Sequence, residues 1–543
     1  MRRKAKDSRQ FWAGDCETDP FKYQREPKPF IWGLYTGTSF YHFATAQEFV
    51  DFIKDQDVII YFHNGGKFDL YFLLAFINLE EPVLIINGRL VVAKIGKAEI
   101  RDSWNILPIA LDKFGTKLVI DYAKMEADAR GQHMPEIIHY LRLDCVTLYN
   151  SVDKFEQDYG RHLTQAGAAM KQWTKISGLK PPRSNAGFFD RFSQYYYGGR
   201  VQCFQKGHVT GPLQVYDIRS AYPWAMLDEH PYDPEYVKIA NPRNFTPASM
   251  VTLECVSNGA LPWRDERGGF RFPDDNEART YHVPGHEVLA GLETGTISRV
   301  KIIEAIDFTC KISFRDYILH FYEKRLKARL NNDLPQSIFC KLLMNSLYGK
   351  FCSNPDNYGN YMCVEFGDMT KYADDGYTFD GMIGPHALLR APLEAHEKHY
   401  LNVATGASIT SQVRAHLWRA ICASDHPVYC DTDSLIARRA DLPIGDNLGD
   451  WNHEGTADDA WIAGKKMYYL EGEFDGGATH KSASKGVNLR LSEIKRAATG
   501  ERLTGAEALK LAATGEAVTF GAEPPTFSLK KAPYFQTRTI RAT

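Results

Sequence analysis

The sequence predicts an α/β chain of several domains, and three observations carry that prediction. Its 543 residues are several times the length of a usual domain. Residues 1 to about 160 alternate buried-strand patterns with helix patterns. Two i, i+2 acid pairs, Asp15/Glu17 and Asp431/Asp433, stand at strand ends, where open α/β sheets gather their sites.

Composition narrows the class. A content of 44% hydrophobic and 24% charged residues is that of an ordinary globular protein, and no apolar run reaches membrane-spanning length. The basic start, M-R-R-K-A-K-D-S, lacks the apolar core of a signal peptide. The ten cysteines contain no C-x-x-C pair, which argues against a zinc site or a disulfide framework and for a reducing, intracellular setting. With a net charge of −2, any surface for an anionic polymer must be a segregated groove balanced by acids elsewhere.

In the first unit, Phe11 to Glu17 reads as a buried strand ending in Asp15 and Glu17, followed by strand-like Phe30 to Tyr35. Thr45 and Glu48 have capping-box spacing for a helix. Val58 to His63 is a second buried strand, which leads into the loop-to-helix passage N-G-G-K-F-D containing Asp69. Asn87-Gly88 between two apolar runs signals a hairpin. From Pro135 to about Phe155 a helix places Tyr140 and Asp144 one turn apart on the same face. Asp144 alone fits a solvent-facing helix acid equally well. Together, Asp15, Glu17, Asp69 and Asp144 are the donor set that two-metal phosphodiester hydrolysis needs.

A polar stretch with the turn P-P-R-S-N at 181–185 reads as a linker. Tyr195 to Arg200, Y-Y-Y-G-G-R, offers close backbone approach at its glycines, with an aromatic beside Arg200 for stacking and phosphate contact; an ordinary turn fits as well. Leu213 to Asp217 is a strand ending in a lone acid. Asp316 to Leu330 is a basic helix with Arg325 and Arg329, and Gln336 to Leu347 is a second helix placing Lys341, Asn345 and Tyr348 on one face. Such a face suits a triphosphate with its base and sugar. Val428 to Ile436 reads as a tight hairpin with Asp431 and Asp433 at its tip, directed into one space where a hard divalent cation would relieve their repulsion. Alone, D-x-D also fits a surface turn. Asp217 joins these acids only if its strand lies beside their hairpin.

These motifs, in this order, resemble the protein-primed family B DNA polymerases of bacteriophages with linear genomes, especially the tectivirus type. The likeness runs essentially end to end. It rests on D-x-E (Asp15, Glu17), H-N-G-G-K-F-D (Asn64, Phe68, Asp69), K-L-V-I (Lys117 to Ile120) and Y-x-x-x-D (Tyr140, Asp144). It continues through Y-x-G-G (Tyr196 to Gly199), D-x-x-S-x-Y-P (Asp217, Ser220, Tyr222, Pro223), K-x-x-x-N-S-x-Y-G (Lys341, Asn345, Ser346, Tyr348, Gly349), Y-x-D-T-D-S and K-x-Y (Lys466, Tyr468). Two glycines precede Lys67 where some relatives have one residue fewer, and Arg219 and Ala221 stand where Asn and Leu are common.

The resemblance implies a ribonuclease-H-like 3′-5′ exonuclease domain (1–160), a linker and first palm segment (161–226), and a first terminal-protein-region insertion (227–314). Fingers (315–351), a second such insertion (352–402), the second palm segment (403–486) and a thumb (487–543) follow. It implies two Mg2+ ions per active site, with Mn2+ as an alternative. Asp217 and Asp433, with Asp431 close by, would hold one pair, and Asp15, Glu17, Asp69 and Asp144 the other. Tyr140 would orient the hydrolytic water and Lys117 assist, while His63, Asn64, Phe68 and Ser103 steady a frayed strand. Ser220, Ala221, Tyr222, Arg329, Lys341, Asn345 and Tyr348 would bind the nucleotide, with Tyr222 excluding a 2′-hydroxyl. Tyr196, Gly198, Gly199, Arg200, Lys466, Tyr468 and Lys485 would contact DNA.

Expected partners are template and primer DNA, dNTPs, a terminal protein supplying the priming hydroxyl, and a single-stranded-DNA-binding protein. The expected setting is the host cytoplasm, as a monomer or a heterodimer with the terminal protein. Two alternatives stay open on the sequence: a polymerase that starts chains without a protein primer, and a nuclease with a scaffold polymerase half.

Overall fold

The computed structural model describes residues 7–19, 27–115, 120–266 and 268–484, with two short strands at 526–527 and 538–539. Lys117, Lys485 and, apart from those two strands, the segment 487–543 lie outside the described residues.

The N-terminal module begins with β1 (Phe11–Thr18), β2 (Pro29–Tyr35), β3 (Phe40–Phe43) and helix α1 (Ala46–Ile53). It continues through β4 (Ile59–Phe62), β5 (Pro82–Ile86), β6 (Arg89–Ile95) and β7 (Ala98–Asp102). β1 to β3 pair antiparallel, while β4 runs parallel to β1 and β7 parallel to β4. This is the ribonuclease-H-like core that the family resemblance implies. β4 is buried at every residue, as a central parallel strand should be. The Asn87-Gly88 hairpin forms with both residues at positive φ, the geometry that favours this dipeptide. The Thr45 hydroxyl caps α1 by accepting from the Glu48 N–H at 3.1 Å.

Helix α2 (Arg130–Tyr159) starts five residues before the expected Pro135. The proline does not end it, because Ile137, Leu141, Cys145 and Leu148 on its buried face pack against the module core. The stretch read as a linker is also more ordered than expected. It holds helix α3 (Gln165–Ser177), capped by Thr164 and closed by Gly178 at φ 71°, with Trp173 buried. Small residues (Ala168, Ala169) that give the stretch its bland appearance let this helix pack closely.

The second body is built on β8 (Val201–Cys203) and the long β9 (Gly207–Ile218). Segment 227–314 then forms its own sheet of β10 (Tyr236–Lys238), β11 (Met250–Ser257), β14 (Ala278–Pro284) and β15 (Ile297–Phe308). It also carries the small hairpin β12 (Trp263–Arg264) and β13 (Phe270–Arg271), and helix α4 (Gly285–Glu293). Two packed helices follow, α5 (Arg315–Leu330) and α6 (Leu334–Phe351).

Segment 352–402 contributes β16 (Gly359–Val364), β17 (Thr378–Ile383) and β18 (His386–Pro392). β16 pairs with β5, so this segment extends the N-terminal sheet to ten strands in the order β17-β18-β16-β5-β6-β7-β4-β1-β2-β3. Helix α7 (Val403–Ala423) is buried along almost its whole length. The chain then returns to β9's sheet as β19 (Ser424–Asp431), β20 (Ser434–Ala440), β21 (Trp451–Gly464), β22 (Met467–Phe474) and β23 (Ala478–Ser484). The sheet order is β23-β22-β21-β9-β20-β19-β8.

Candidate active sites

Asp217 does lie beside the acid hairpin. β9 pairs antiparallel with β20 so that Asp217 faces Ser434, and the Ile218 N–H donates to the Asp433 carbonyl at 2.7 Å. The turn between β19 and β20 is just Thr432 and Asp433, with Thr432 at φ 63°. Its backbone is braced by the glycine loop: the Thr432 N–H donates to the Arg200 carbonyl at 2.6 Å. A Cβ on Gly199 would sit 2.7 Å from the Thr432 hydroxyl, so only glycine lets the loop back onto this turn.

A cavity of about 820 Å³ opens between β9, the acid hairpin and the two helices, and Asp217 and Asp433 line it together with Glu454 of β21. Opposite them stand Arg325 and Arg329 from α5 and Lys341, Asn345 and Tyr348 from α6. Ser220, Ala221 and Tyr222 line its base, and the Tyr222 ring stacks on Tyr348 with centroids 4.2 Å apart at 13°. Burial and the facing Asp433 carboxylate push the Asp217 pKa up to about 7. Burial and Asp431 push Asp433 up to about 6. Two half-buried acids held this way favour a counter-cation, and their hard oxygen donors suit a divalent one.

Two expectations need correction. Asp431 does not line the cavity. The i, i+2 rule holds for extended backbone, and the left-handed Thr432 breaks it, leaving the Asp431 carboxylate to Lys466 Nζ at 2.7 and 3.0 Å. The Thr432 hydroxyl and the Tyr429 hydroxyl also donate to it. Arg200, expected at a phosphate, is turned inward and only 1% exposed. Its guanidinium donates to the Gly259 carbonyl and lies between Phe272 and Trp418, so no phosphate reaches it. Tyr196 and Gly198 stay on the loop with Gly199; Tyr468 is buried against Tyr429, ring to ring at 5.1 Å.

Glu454 was not singled out from the sequence, and Arg325 was named only as one cation of the basic helix. Glu454 belongs to no motif, while Arg325 was legible in part, since it shares a helix face with Tyr322, Leu326 and Arg329. Glu454 pairs with Lys481.

In the N-terminal module, oxygen atoms of Asp15, Glu17 and Asp144 all lie within 4.8 Å of one another. Asp69 joins them through the Cys16 N–H, which donates to Asp15 at 2.9 Å and to Asp69 at 3.2 Å. Burial, then the neighbouring carboxylates, holds Asp15 and Glu17 well above the usual carboxylate range, and burial pushes Asp69 up to about 6. Tyr140 stands one turn from Asp144, and burial with that acid raises its hydroxyl pKa.

Beside the cluster, His63 bonds the Ser103 hydroxyl at 3.0 Å and the Ile109 carbonyl at 2.9 Å. Asn64 takes φ 59°, and its side-chain oxygen accepts from Arg89 at 2.9 Å. Arg89 also donates to buried Asp102 at 2.6 Å, and its guanidinium lies 5.5 Å from the Trp104 ring centroid. Sequence reasoning missed Arg89, Asp102 and Trp104, because nothing in the hairpin pattern distinguishes Arg89 from a surface cation. The extra glycine has a packing reason: a Cβ on Gly66 would lie 2.0 Å from the Leu90 carbonyl. Phe68 packs edge-on against Phe72 at 5.4 Å.

Two expected results follow here. Arg89→Met leaves Asp102 buried without its cation, and should lower stability by about 3–5 kcal/mol, read as an earlier midpoint in urea. Magnesium should raise the thermal midpoint more at pH 8 than at pH 6, because Asp217 and Asp433 must lose their protons to bind it. Without a cation the sign is opposite. Between about pH 4 and pH 7 the folded acids retain protons that the unfolded chain has released, so stability falls as pH rises.

A carboxylate cavity between a β-sheet palm and two cationic helices, beside a ribonuclease-H-like module with its own acid cluster, defines a type B DNA polymerase. Residues 126–382 match the family model described as DNA polymerase type B, organellar and viral. The DNA-directed DNA polymerase of Enterobacteria phage PRD1 is 36% identical across 98% of this chain and 98% of its own length. The chain belongs to the type B DNA polymerases of the viral kind. The DNA polymerase of Bacillus phage phi29 is 29% identical over 82% of this chain and 84% of its own. In fold, phi29 DNA polymerase complexed with primer-template DNA and incoming nucleotide substrates is similar at a TM-score of 0.70. There the identity is 19%, with 90% of this chain and 95% of that one covered.

Proposed function

We propose that this DNA-directed DNA polymerase of the phage type copies a linear genome from a protein primer, displaces the strand ahead, and proofreads with a separate 3′-5′ exonuclease. The observation that carries the reading is the convergence of Asp217 and Asp433 on a cavity walled by Arg325, Arg329 and Lys341. Asp217 and Asp433 would hold two magnesium ions, with manganese as an alternative. Bound there, the ions supply acidification of the attacking hydroxyl and charge neutralisation at the leaving pyrophosphate. Lys341, Arg325 and Arg329 offset the triphosphate charge without reorganising at the moment of reaction. The Tyr222–Tyr348 stack forms a rigid floor that meets the sugar and excludes a 2′-hydroxyl by shape.

Lys466, held by Asp431, and Tyr468 position the primer end; Tyr196, Gly198 and Gly199 border the strand path. In the exonuclease, Asp15, Glu17, Asp69 and Asp144 hold the hydrolytic cations and Tyr140 orients the water, with Lys117 assisting. His63, Asn64 and Phe68 steady the frayed strand; Ser103, expected to share that contact, is fully buried and acts by fixing His63, while Arg89 fixes Asn64. Template and primer DNA, dNTPs, a terminal protein and a single-stranded-DNA-binding protein are the partners, in the cytoplasm of a bacterial host. Segments 227–314 and 352–402 serve the terminal protein and strand displacement.

The test supplies labelled dATP, dCTP, dGTP and dTTP one at a time, with the neighbouring gene product and no DNA primer. Label attached covalently to protein with one nucleotide supports protein priming. Extension of a DNA primer with no protein-linked label under any nucleotide refutes it.

A further inference from the structure

We infer that Arg219 is a positioning residue for the incoming nucleotide: it pins the loop 441–450, between β20 and β21, as a strut from β9 to helix α5. The inference rests on the function proposed above. Arg219, Asp446, Leu448 and Asn452 line the cavity of Asp217 and Asp433, together with Tyr322 of α5.

Arg219 is tied to this loop through both main chain and side chain. Its N–H donates to the Asp450 carbonyl, and its carbonyl accepts from the Gly449 N–H, each at 2.9 Å. Its Nε donates to the Gly445 carbonyl at 2.6 Å, and its Nη2 to Asn452 Oδ1 at 2.7 Å. The same Nη2 stands 3.1 Å from Asp446 Oδ1. On the far side the loop meets α5, where the Tyr322 hydroxyl donates to the Asp446 carbonyl at 3.3 Å. The loop thus spans from the strand that carries Asp217 to the helix that carries Arg325 and Arg329.

The charges of the loop make its placement matter. It carries Asp441, Asp446 and Asp450 and no Lys or Arg. Released from Arg219, Asp446 is free to swing towards the phosphates, where like charge repels. Held to the wall, it leaves the cavity to the cations of α5 and α6. A wall fixed beforehand also spares the nucleotide the cost of ordering it.

The guanidinium acts through its shape. The ion pair with Asp446 contributes little, because that side chain is 98% exposed. The fork does more: it holds the Gly445 carbonyl and the Asn452 amide at once, which the point charge of a lysine cannot do. With those nitrogens engaged, Arg219 serves the nucleotide through the loop and not as a phosphate ligand.

The experiment measures kcat and KM for a dNTP in primer extension by the full-length protein, Arg219→Ala, Arg219→Lys, Tyr322→Phe and the Arg219→Ala, Tyr322→Phe double variant. Affinity for a non-hydrolysable deoxynucleoside triphosphate is measured beside them. Arg219→Ala should raise KM about tenfold with kcat within about twofold of wild type, the pattern of lost binding. Arg219→Lys, which keeps the charge, should raise KM nearly as much. Tyr322→Phe should raise it about threefold, and the double variant should be no worse than Arg219→Ala, because both groups hold one strut. Analogue affinity should fall in parallel. Full recovery in Arg219→Lys would overturn the inference in favour of a direct phosphate contact. A fall in kcat at unchanged KM would overturn it in favour of a catalytic role, and effects that multiply in the double variant would show that no strut joins the two elements. A wild type that binds the analogue but does not extend primers refutes the functional reading itself, while the analogue affinities of the variants still test the strut.

Discussion

Asp433→Ala is expected to reduce nucleotide addition by roughly a thousandfold or more, while single-stranded DNA is still degraded at the wild-type rate. The size follows from geometry. Asp433 and Asp217 are the two aspartates that the β9–β20 register brings to the cavity, and the Asp433 charge raises the cost of ionising Asp217. Glu454 also lines the cavity but is already paired with Lys481, and Asp431 with Lys466, so neither is free to replace it. Because the substitution removes one of two repelling acids, it should leave the thermal midpoint unchanged or higher. A loss of primer extension with an intact midpoint therefore reports chemistry and not unfolding. Steady-state extension of a labelled primer beside degradation of a labelled single strand checks both halves.

The converse substitution is expected to give the converse result. Asp15→Ala should lower single-strand degradation by roughly a thousandfold and leave primer extension intact. Asp15 stands among Glu17, Asp69 and Asp144 in the second half of β1, and its carboxylate is hemmed in by burial and by those three charges. Removing it takes away a ligand and relieves repulsion together, so the module should remain folded. Both activities surviving either substitution would defeat the assignment of two separate sites.

The acid at a strand end was legible because period-2 patterning and charge are local properties. Asp15, Glu17 and Asp217 sit where alternation and burial cost place them, and the Asn87-Gly88 turn follows from φ alone. Arrangements set by tertiary contact were not legible. Asp431 looked equivalent to Asp433 until the left-handed Thr432 separated them, and Arg200 looked like a phosphate ligand until Phe272 and Trp418 enclosed it. The attachment of β16 to β5 joins segments far apart in the chain, and neither strand carries a signal for its neighbour. Helix α3 was missed because Ala, Gly and Thr dominate its start, a composition that resembles a linker until Trp173 is seen to be buried.

The most direct measurement is anomalous diffraction from crystals of the protein grown with manganese and a non-hydrolysable deoxynucleoside triphosphate. Two manganese peaks between the Asp217 and Asp433 carboxylates, beside a triphosphate contacting Lys341 and the α5 arginines, are the predicted result. Manganese bound elsewhere, with a nucleotide remote from both aspartates, would contradict the account.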